Sequence, residues 1–264
     1  MSGIPERLVA FADSLADASR PLALRHWRRT RDFDRKADES PVTVADRAIE
    51  KTLRDLIEHH YPDHGIAGEE FGGLRTDARH VWSIDPIDGT RAFVSGSPLF
   101  GTLIALVRDG VPILGIIDIP ALDERWRGAG DGPATLNGTP VGTRRPRSLG
   151  DAILGSTSPL MFTDTDTATL APVRERVGMQ IFGGDCYLYG LLALGTIDLV
   201  IEAGLSDYDY LAGAALIHAA GGIMTDWQGR PLGIGTSDRV VAAGDPAVHA
   251  EVISLLGGAA AHDG

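Results

Sequence analysis

Apolar residues recur at a largely helical spacing near the start of the chain. Leu8, Phe11, Ala12, Leu15 and Ala18 are followed by Leu22 and Trp27, so residues 4–29 read as a packing helix that Pro21 kinks or breaks. The next stretch, from Asp34 to Thr43, is too polar to fill a core and reads as a loop between two helices, a kind of segment that often carries function. A second helix, capped by Thr43 or a neighbour, runs to about residue 58 and buries Ile49, Leu53, Leu56 and Ile57. Asp46 falls in its first turn, where the helix dipole favours a negative charge, and that placement alone would account for it.

A short apolar step then leads into Gly68-Glu69-Glu70-Phe71-Gly72-Gly73. Adjacent glutamates are usually just solvated, but the glycines here let the backbone approach another segment closely. In Trp82-Ser83-Ile84-Asp85-Pro86-Ile87-Asp88-Gly89-Thr90 a short apolar run joins a turn. Pro86 and Gly89 suit a rigid, tightly turned loop on which Asp85 and Asp88 converge, with the Ile87 carbonyl as a third oxygen for a hard cation. The same Asp-Pro and Asp-Gly pairs also make plain surface turns. Residues 99–107 and 111–119 read as strands joined by Arg108-Asp109-Gly110. A further pair around Trp126 and Thr135-Leu136 extends the sheet, and Asn137-Gly138 marks a tight turn.

From residue 152 strands and helices alternate. Strands are expected at 152–156, 179–182, 197–202, 223–225 and 240–243, and helices near 167–177, 185–195, 209–220 and 246–256. With Arg144-Arg145-Pro146-Arg147-Ser148 as a linker, a boundary near residue 145 divides the chain. An N-terminal α+β domain, 1–145, carries most of the acids, and a C-terminal α/β domain, 146–264, completes the site and its pocket. Asp209 directly precedes an apolar helix, so it can cap that helix and still turn an oxygen into a cleft.

Composition narrows the chemistry. With 264 residues, 44% of them hydrophobic, the chain can bury one large core or two modest ones. No apolar run approaches the roughly 20 residues that span a bilayer, and no secretory signal pattern opens the chain, so the expectation is a cytoplasmic protein without a membrane partner. A net charge of −12 argues against a general nucleic-acid binder. Cys186 is the only cysteine, which excludes an intrachain disulfide and a thiolate zinc cluster. The His-Glu-x-x-His, Gly-x-x-x-x-Gly-Lys-Ser/Thr and Gly-x-Ser-x-Gly patterns are absent, so zinc proteolysis, ATP-driven transfer and serine hydrolysis lack their machinery. The acids to assemble are Asp46, Glu69, Asp85, Asp88 and one from Asp207-Tyr208-Asp209. Two bare carboxylates 5 Å apart repel by about 3 kcal/mol at an effective dielectric of 20, so such a cluster needs protons or cations, and magnesium is the natural occupant.

Three segments in order then carry a resemblance. Gly68-Glu69-Glu70, Asp85-Pro86-Ile87-Asp88-Gly89-Thr90, and Asp209 ahead of an Ala-rich helix ending Ala219-Ala220-Gly221-Gly222 resemble the signatures of the inositol monophosphatase family, among the lithium-sensitive magnesium phosphatases. The resemblance runs over nearly the whole chain. It implies a layered α-β-α-β-α sandwich of the inositol monophosphatase/fructose bisphosphatase type, with the site between the two domains. It also implies two or three Mg2+ ions per site, hydrolysis of a phosphate monoester, and a homodimer. By position, Glu69, Asp85, Ile87 through its carbonyl, Asp88 and Asp209 would be metal ligands, and Thr90 and Asp46 would help Glu69 activate the attacking water. Gly89 and Thr90 would offer backbone N–H groups to the phosphate beside Asp88 and Asp209, and Lys36 matches a loop lysine of the family. Such a pocket repels a phosphate dianion unless bound cations reverse the local field.

Substrate choice lies outside these motifs. Pro98-Leu99-Phe100-Gly101-Thr102-Leu103-Ile104-Ala105-Leu106 and Gly183-Gly184-Asp185-Cys186-Tyr187-Leu188-Tyr189-Gly190 are similar to the histidinol-phosphate phosphatase branch, as is the segment from Asp198 to Leu205. Histidinol phosphate carries a cationic amine and an imidazole, which call for carboxylates beyond the metal ligands. Asp185 and Glu202 fit that need, although Asp185 could equally cap a helix. Tyr208 stands where many members of the family carry Trp. The expectation is a Mg2+-dependent histidinol-phosphate phosphatase of histidine biosynthesis, acting on a small phosphorylated alcohol. The alternatives are an inositol-1-phosphate or broad sugar-phosphate phosphatase, a 3′-phosphonucleotide phosphatase, and a non-catalytic metal-binding interaction protein, against which the intact acids speak.

Overall fold

The computed structural model describes residues 4–29, 34–35 and 41–259. Helix α1 (Glu6–His26) buries Leu8, Phe11, Ala12 and Leu15. Pro21 does not end it, so of the kink or break expected there the break is absent. Pro21 and Asp17, whose carbonyl loses its helical partner to the proline, are both exposed, so water can take that bond while Ser19 and Ala23 stay packed. The polar stretch that follows holds a two-stranded antiparallel ladder, β1 (Asp34–Arg35) with β2 (Pro41–Val42), where only a loop is expected. Lys36 lies outside the described residues. Helix α2 (Val44–His60) packs beside α1 and buries Ile49, Leu53 and Ile57.

Both helices cover one face of a mixed sheet. Its strands are β3 (Gly65–Gly68), β4 (Gly72–Leu74), β5 (His80–Asp88), β6 (Gly101–Arg108), β7 (Val111–Ile119), β8 (Glu124–Ala129), β9 (Thr135–Leu136) and β10 (Thr139–Pro140), in the order β10-β9-β8-β7-β6-β5-β3-β4. Only β3 and β5 run parallel. Alternation along the strands splits the side chains between two cores. Trp82, Ile84, Ile104, Leu106, Leu114 and Ile116 pack towards α1 and α2, whereas Leu103, Ala105, Val107, Ile117 and Ile119 belong to the core on the other face.

That second core is filled by α5 (Tyr187–Ala193) and α6 (Asp207–Ala219). Every residue of α6 from 210 to 217 is buried, as befits a helix with a sheet on either side. Its backbone lies directly on β7 and β8: a Cβ at Gly115 would sit 2.1 Å from the Ala212 carbonyl oxygen, and one at Gly128 2.6 Å from Leu216 Cα. Beyond the helices lies a second sheet of β11 (Ile153–Ser156), β12 (Met179–Phe182), β13 (Leu199–Ala203), β14 (Ile223–Asp226) and β15 (Arg239–Ala243), ordered β12-β11-β13-β15-β14. The pairs β11–β12 and β11–β13 are parallel, and both pairs made by β15 are antiparallel. Val200, Val240 and Ala242 face α5 and α6, while Leu199, Ile201, Val241 and Ala243 pack in the core beneath α4 (Asp164–Arg174) and α7 (Pro246–Ala259). The order of layers is therefore α-β-α-β-α, as expected from the resemblance. No helix among the described residues is long and apolar enough to cross a membrane.

Candidate metal centre

Strand β5 continues through Asp88, so Asp85 and Asp88 stand on a strand and not on the turned loop that Pro86 and Gly89 suggest. The strand is irregular there. Asp85 lies opposite Leu103 and Asp88 opposite Gly101, so three steps on β5 match two on β6, which leaves one extra residue as a β-bulge. Pro86 has no N–H to lose from the ladder, and its carbonyl accepts a hydrogen bond from Thr102 Oγ1 at 2.9 Å. On a regular strand residues three apart face opposite sides. The bulge cancels that alternation and brings both aspartates into one cluster. Gly89, at φ 77°, then turns the chain into the short helix α3 (Thr90–Ser95).

Asp85, Asp88 and Asp209 each offer a carboxylate oxygen within 4.8 Å of the others, and Asp46, Glu69 and Glu70 form a second such group. Asp209 is not ahead of its helix. Helix α6 starts at Asp207 with Ser206 as its cap, and Asp209, in the third position, accepts the Ser206 N–H at 2.7 Å. Asp46 plays the same part in α2, where its Oδ2 accepts the Thr43 N–H at 2.8 Å and the Thr43 hydroxyl at 2.5 Å. The helix-start reading of Asp46 thus accounts for one oxygen only. The other, Oδ1, is buried without a hydrogen-bond partner, as is Asp85 Oδ1. Asp88 Oδ2 accepts the backbone N–H of Cys186 at 2.7 Å, which ties the first sheet to the loop before α5.

The carboxyls raise one another's pKa. Asp85 is pushed well up by burial and then by the charges of Glu69, Asp88 and Asp209. Asp88 rises to about 7, through burial and then Asp209. Burial lifts Asp209 to about 7 and Asp46 to about 6. Such groups keep protons unless cations replace them. Orphaned buried oxygens beside an all-carboxylate donor set fit a hard divalent cation.

The remaining expected residues bring one correction, at Asp185. Thr90 Oγ1 donates to the Ile87 carbonyl at 3.0 Å, so these two residues are bonded to each other. Asp185 is no helix cap: it sits at φ 46° before α5, and that helix has Cys186 at its N-cap with no side-chain bond. Its carboxyl lies beside Gly89, 3.2 Å from where a Cβ would stand, and rises to about 8 through burial and then the Asp88 and Glu202 charges. Glu202 is buried and already engaged. Oε1 accepts from Thr157 N–H at 2.9 Å and Thr157 Oγ1 at 2.6 Å, and Oε2 accepts from the Tyr189 hydroxyl at 2.7 Å. Asp88, Asp185, Glu202 and Asp209 together line a cavity of about 110 Å³. A more apolar cavity of about 240 Å³, between β7 and α6, shares no lining residue with either acid cluster.

Sequence reasoning left out Glu70 as a cluster member and Tyr189, Thr157 and the Cys186 N–H as partners of site acids. Glu70 carried a signal, being the second acid of a glycine-flanked pair. The backbone donor of Cys186 carried none, because a sequence does not show which N–H groups a fold leaves over.

A layered sandwich with two carboxylate groups gathered where β5, the β3–β4 turn and the start of α6 meet is the architecture of a metal-dependent phosphatase. The chain belongs to the inositol monophosphatase family, whose sequence model matches residues 5–259. Over 260 residues it is 43% identical to the bifunctional phosphatase IMPL2, chloroplastic, of Arabidopsis thaliana, covering 95% of this chain and 75% of that one. It is 34% identical to a histidinol-phosphatase of Chlorobaculum parvum, covering 83% and 86% of the two chains. A solved structure of an inositol monophosphatase from Zymomonas mobilis superposes with a TM-score of 0.88 at 44% identity, covering 95% of this chain and 98% of that one.

Proposed function

We propose that this phosphatase is a Mg2+-dependent hydrolase of histidinol phosphate. The carrying observation is the convergence of Asp46, Glu69, Glu70, Asp85, Asp88 and Asp209 in two groups, with a buried oxygen of Asp46 and one of Asp85 left without hydrogen-bond partners. When bound there, Mg2+ would neutralise the phosphate and lower the pKa of a water molecule. Glu69, Asp85, the Ile87 carbonyl, Asp88 and Asp209 are the groups that would hold the ions. Thr90 Oγ1 gives its own proton to the Ile87 carbonyl, which leaves the oxygen as an acceptor that can orient a water, with Glu69 and Asp46, for attack on phosphorus. The Cys186 N–H holds Asp88 in place during the reaction. Water oxygen bonds to phosphorus, the ester P–O bond breaks, and the alcohol leaves with a proton.

The likeness to histidinol-phosphatases and the Asp185 carboxyl at the edge of the cluster support a cationic alcohol. Glu202 supports it less than the sequence suggests, because Thr157 and Tyr189 already occupy both its oxygens. An inositol phosphate is the second reading, favoured by the likeness to the Zymomonas mobilis structure. The test is phosphate release from histidinol phosphate, inositol 1-phosphate and a 3′-phosphonucleotide, with Mg2+ and with a chelator. The reading expects Mg2+-dependent turnover with the highest kcat/KM on histidinol phosphate. Turnover unaffected by the chelator removes the metal role, and a higher kcat/KM on inositol 1-phosphate replaces the substrate.

A further inference from the structure

Helix α2 carries two buried acids one turn apart, Asp46 and Glu50, and only Asp46 belongs to a group able to hold a cation. Glu50 is occupied in another way. Its Oε2 accepts the backbone N–H of Glu70 at 2.6 Å, and its Oε1 accepts the N–H of Phe71 at 3.1 Å and Arg54 Nε at 2.8 Å. Three donors engage both oxygens of a carboxylate whose side chain is 0% exposed. They do fix the turn between β3 and β4, which is the turn that carries Glu69 and Glu70. Arg54 closes the other end of that turn by donating to the Gly72 carbonyl.

The seat for Glu50 is built into the neighbouring strand. A Cβ at Gly68 would lie 2.0 Å from Glu50 Oε1 and 2.5 Å from its Cδ, closer than real atoms approach. Gly68 is not at positive φ, so its missing side chain answers to this contact and not to the backbone angle. Charge-assisted bonds to backbone N–H groups are among the stronger ones, and here they act on Glu70, a member of the group, and on Phe71 beside it.

We propose that Glu50, seated against Gly68 and paired with Arg54, is a positioning residue that sets the Glu69–Glu70 turn against Asp46 so that this group can take a divalent cation. The inference rests on the metal reading above. The test is Mg2+ binding by isothermal titration calorimetry on the full chain, with circular dichroism to verify folding. The proteins are wild type, Glu50→Ala, Glu50→Gln, Gly68→Ala and the double variant Glu50→Ala with Gly68→Ala. Glu50→Ala and Gly68→Ala should each weaken Mg2+ binding by about 10–100-fold, and Glu50→Gln, which keeps one acceptor oxygen, by less. The double variant should bind no more weakly than Glu50→Ala alone, because the methyl group added at position 68 then has no carboxylate to displace and meets only the flexible end of Arg54, whose Nη2 lies 2.9 Å from that Cβ. A purely structural role would lower thermal stability and leave Mg2+ affinity where it was. Wild-type affinity in folded Glu50→Ala, or in Glu50→Gln if the alanine variant does not fold, overturns the inference, as do additive losses in the double variant. A wild-type chain that takes up no Mg2+ overturns the metal reading itself.

Discussion

At Asp88 one carboxylate is shared between two parts of the chain, accepting the Cys186 N–H at 2.7 Å while standing within 4.8 Å of carboxylate oxygens on Asp85 and Asp209. An amide of the same size can still accept that N–H, so Asp88→Asn should fold, yet it removes a charge that bound cations need. We expect kcat/KM at saturating Mg2+ to fall by about 100-fold or more, and the melting temperature in chelator at pH 8 to rise, because a repelled carboxylate is gone. Wild-type turnover would take Asp88 out of the ligand set. Asp185 and Glu202 should separate in the same assay. Asp185→Asn should lose about tenfold in kcat/KM on histidinol phosphate and little on a neutral sugar phosphate, the size of one charged hydrogen bond. Glu202→Gln should lower both alike, since Glu202 is already bound to Thr157 and Tyr189. Equal losses for Asp185→Asn would make that residue structural too.

Elements decide how these residues meet, and the sequence shows some of them more plainly than others. The strands at 111–119 and 179–182 and the four helices after residue 152 are legible because periodicity and turn residues agree there. Asp85 and Asp88 are legible as partners because spacing and chemistry agree, whereas Glu69 falls in the other group, with Asp46 and Glu70. What was not legible depends on contacts made at a distance. Pro86 reads as a loop former, but the Thr102 hydroxyl on its carbonyl and the pairing with β6 hold it in a bulged strand. Pro21 reads as a kink or a break, but its solvent position lets α1 run on. Ser206 takes the cap that Asp209 seemed placed to fill. Nothing local marks Gly115, although α6 rests on it with Ala212 carbonyl oxygen 2.1 Å from the place of a Cβ. Gly115→Ala should therefore cost about 3 kcal/mol of stability in urea denaturation, since two backbones and not a flexible side chain must move. A loss under 1 kcal/mol would show that α6 can slide.

Over the whole molecule, the raised carboxyls make stability depend on pH and metal together. Asp88 and Asp209 hold protons to about 7 and Asp46 to about 6, against an ordinary 3.8 in the unfolded chain. Between those values the folded metal-free protein binds more protons than the unfolded one. Its stability should be greatest below about pH 4 with respect to these groups and should fall as pH rises through 6 to 7. Divalent cations need the ionised groups, so the rise in melting temperature on adding Mg2+ should be larger at pH 8 than at pH 6. Differential scanning calorimetry in chelator and in Mg2+ at both pH values checks this, and an equal rise at both would separate metal binding from these carboxyls. The burial of α6 on every side has a kinetic corollary. A helix enclosed by two sheets has no separate way to open, so backbone amides from 210 to 217 should exchange with deuterium only when the entire molecule unfolds. Asp209 is carried at the head of that helix. On that expectation its carboxylate is anchored to the slowest-exchanging segment of the chain, and the clock for losing the acid cluster should be the clock for global unfolding.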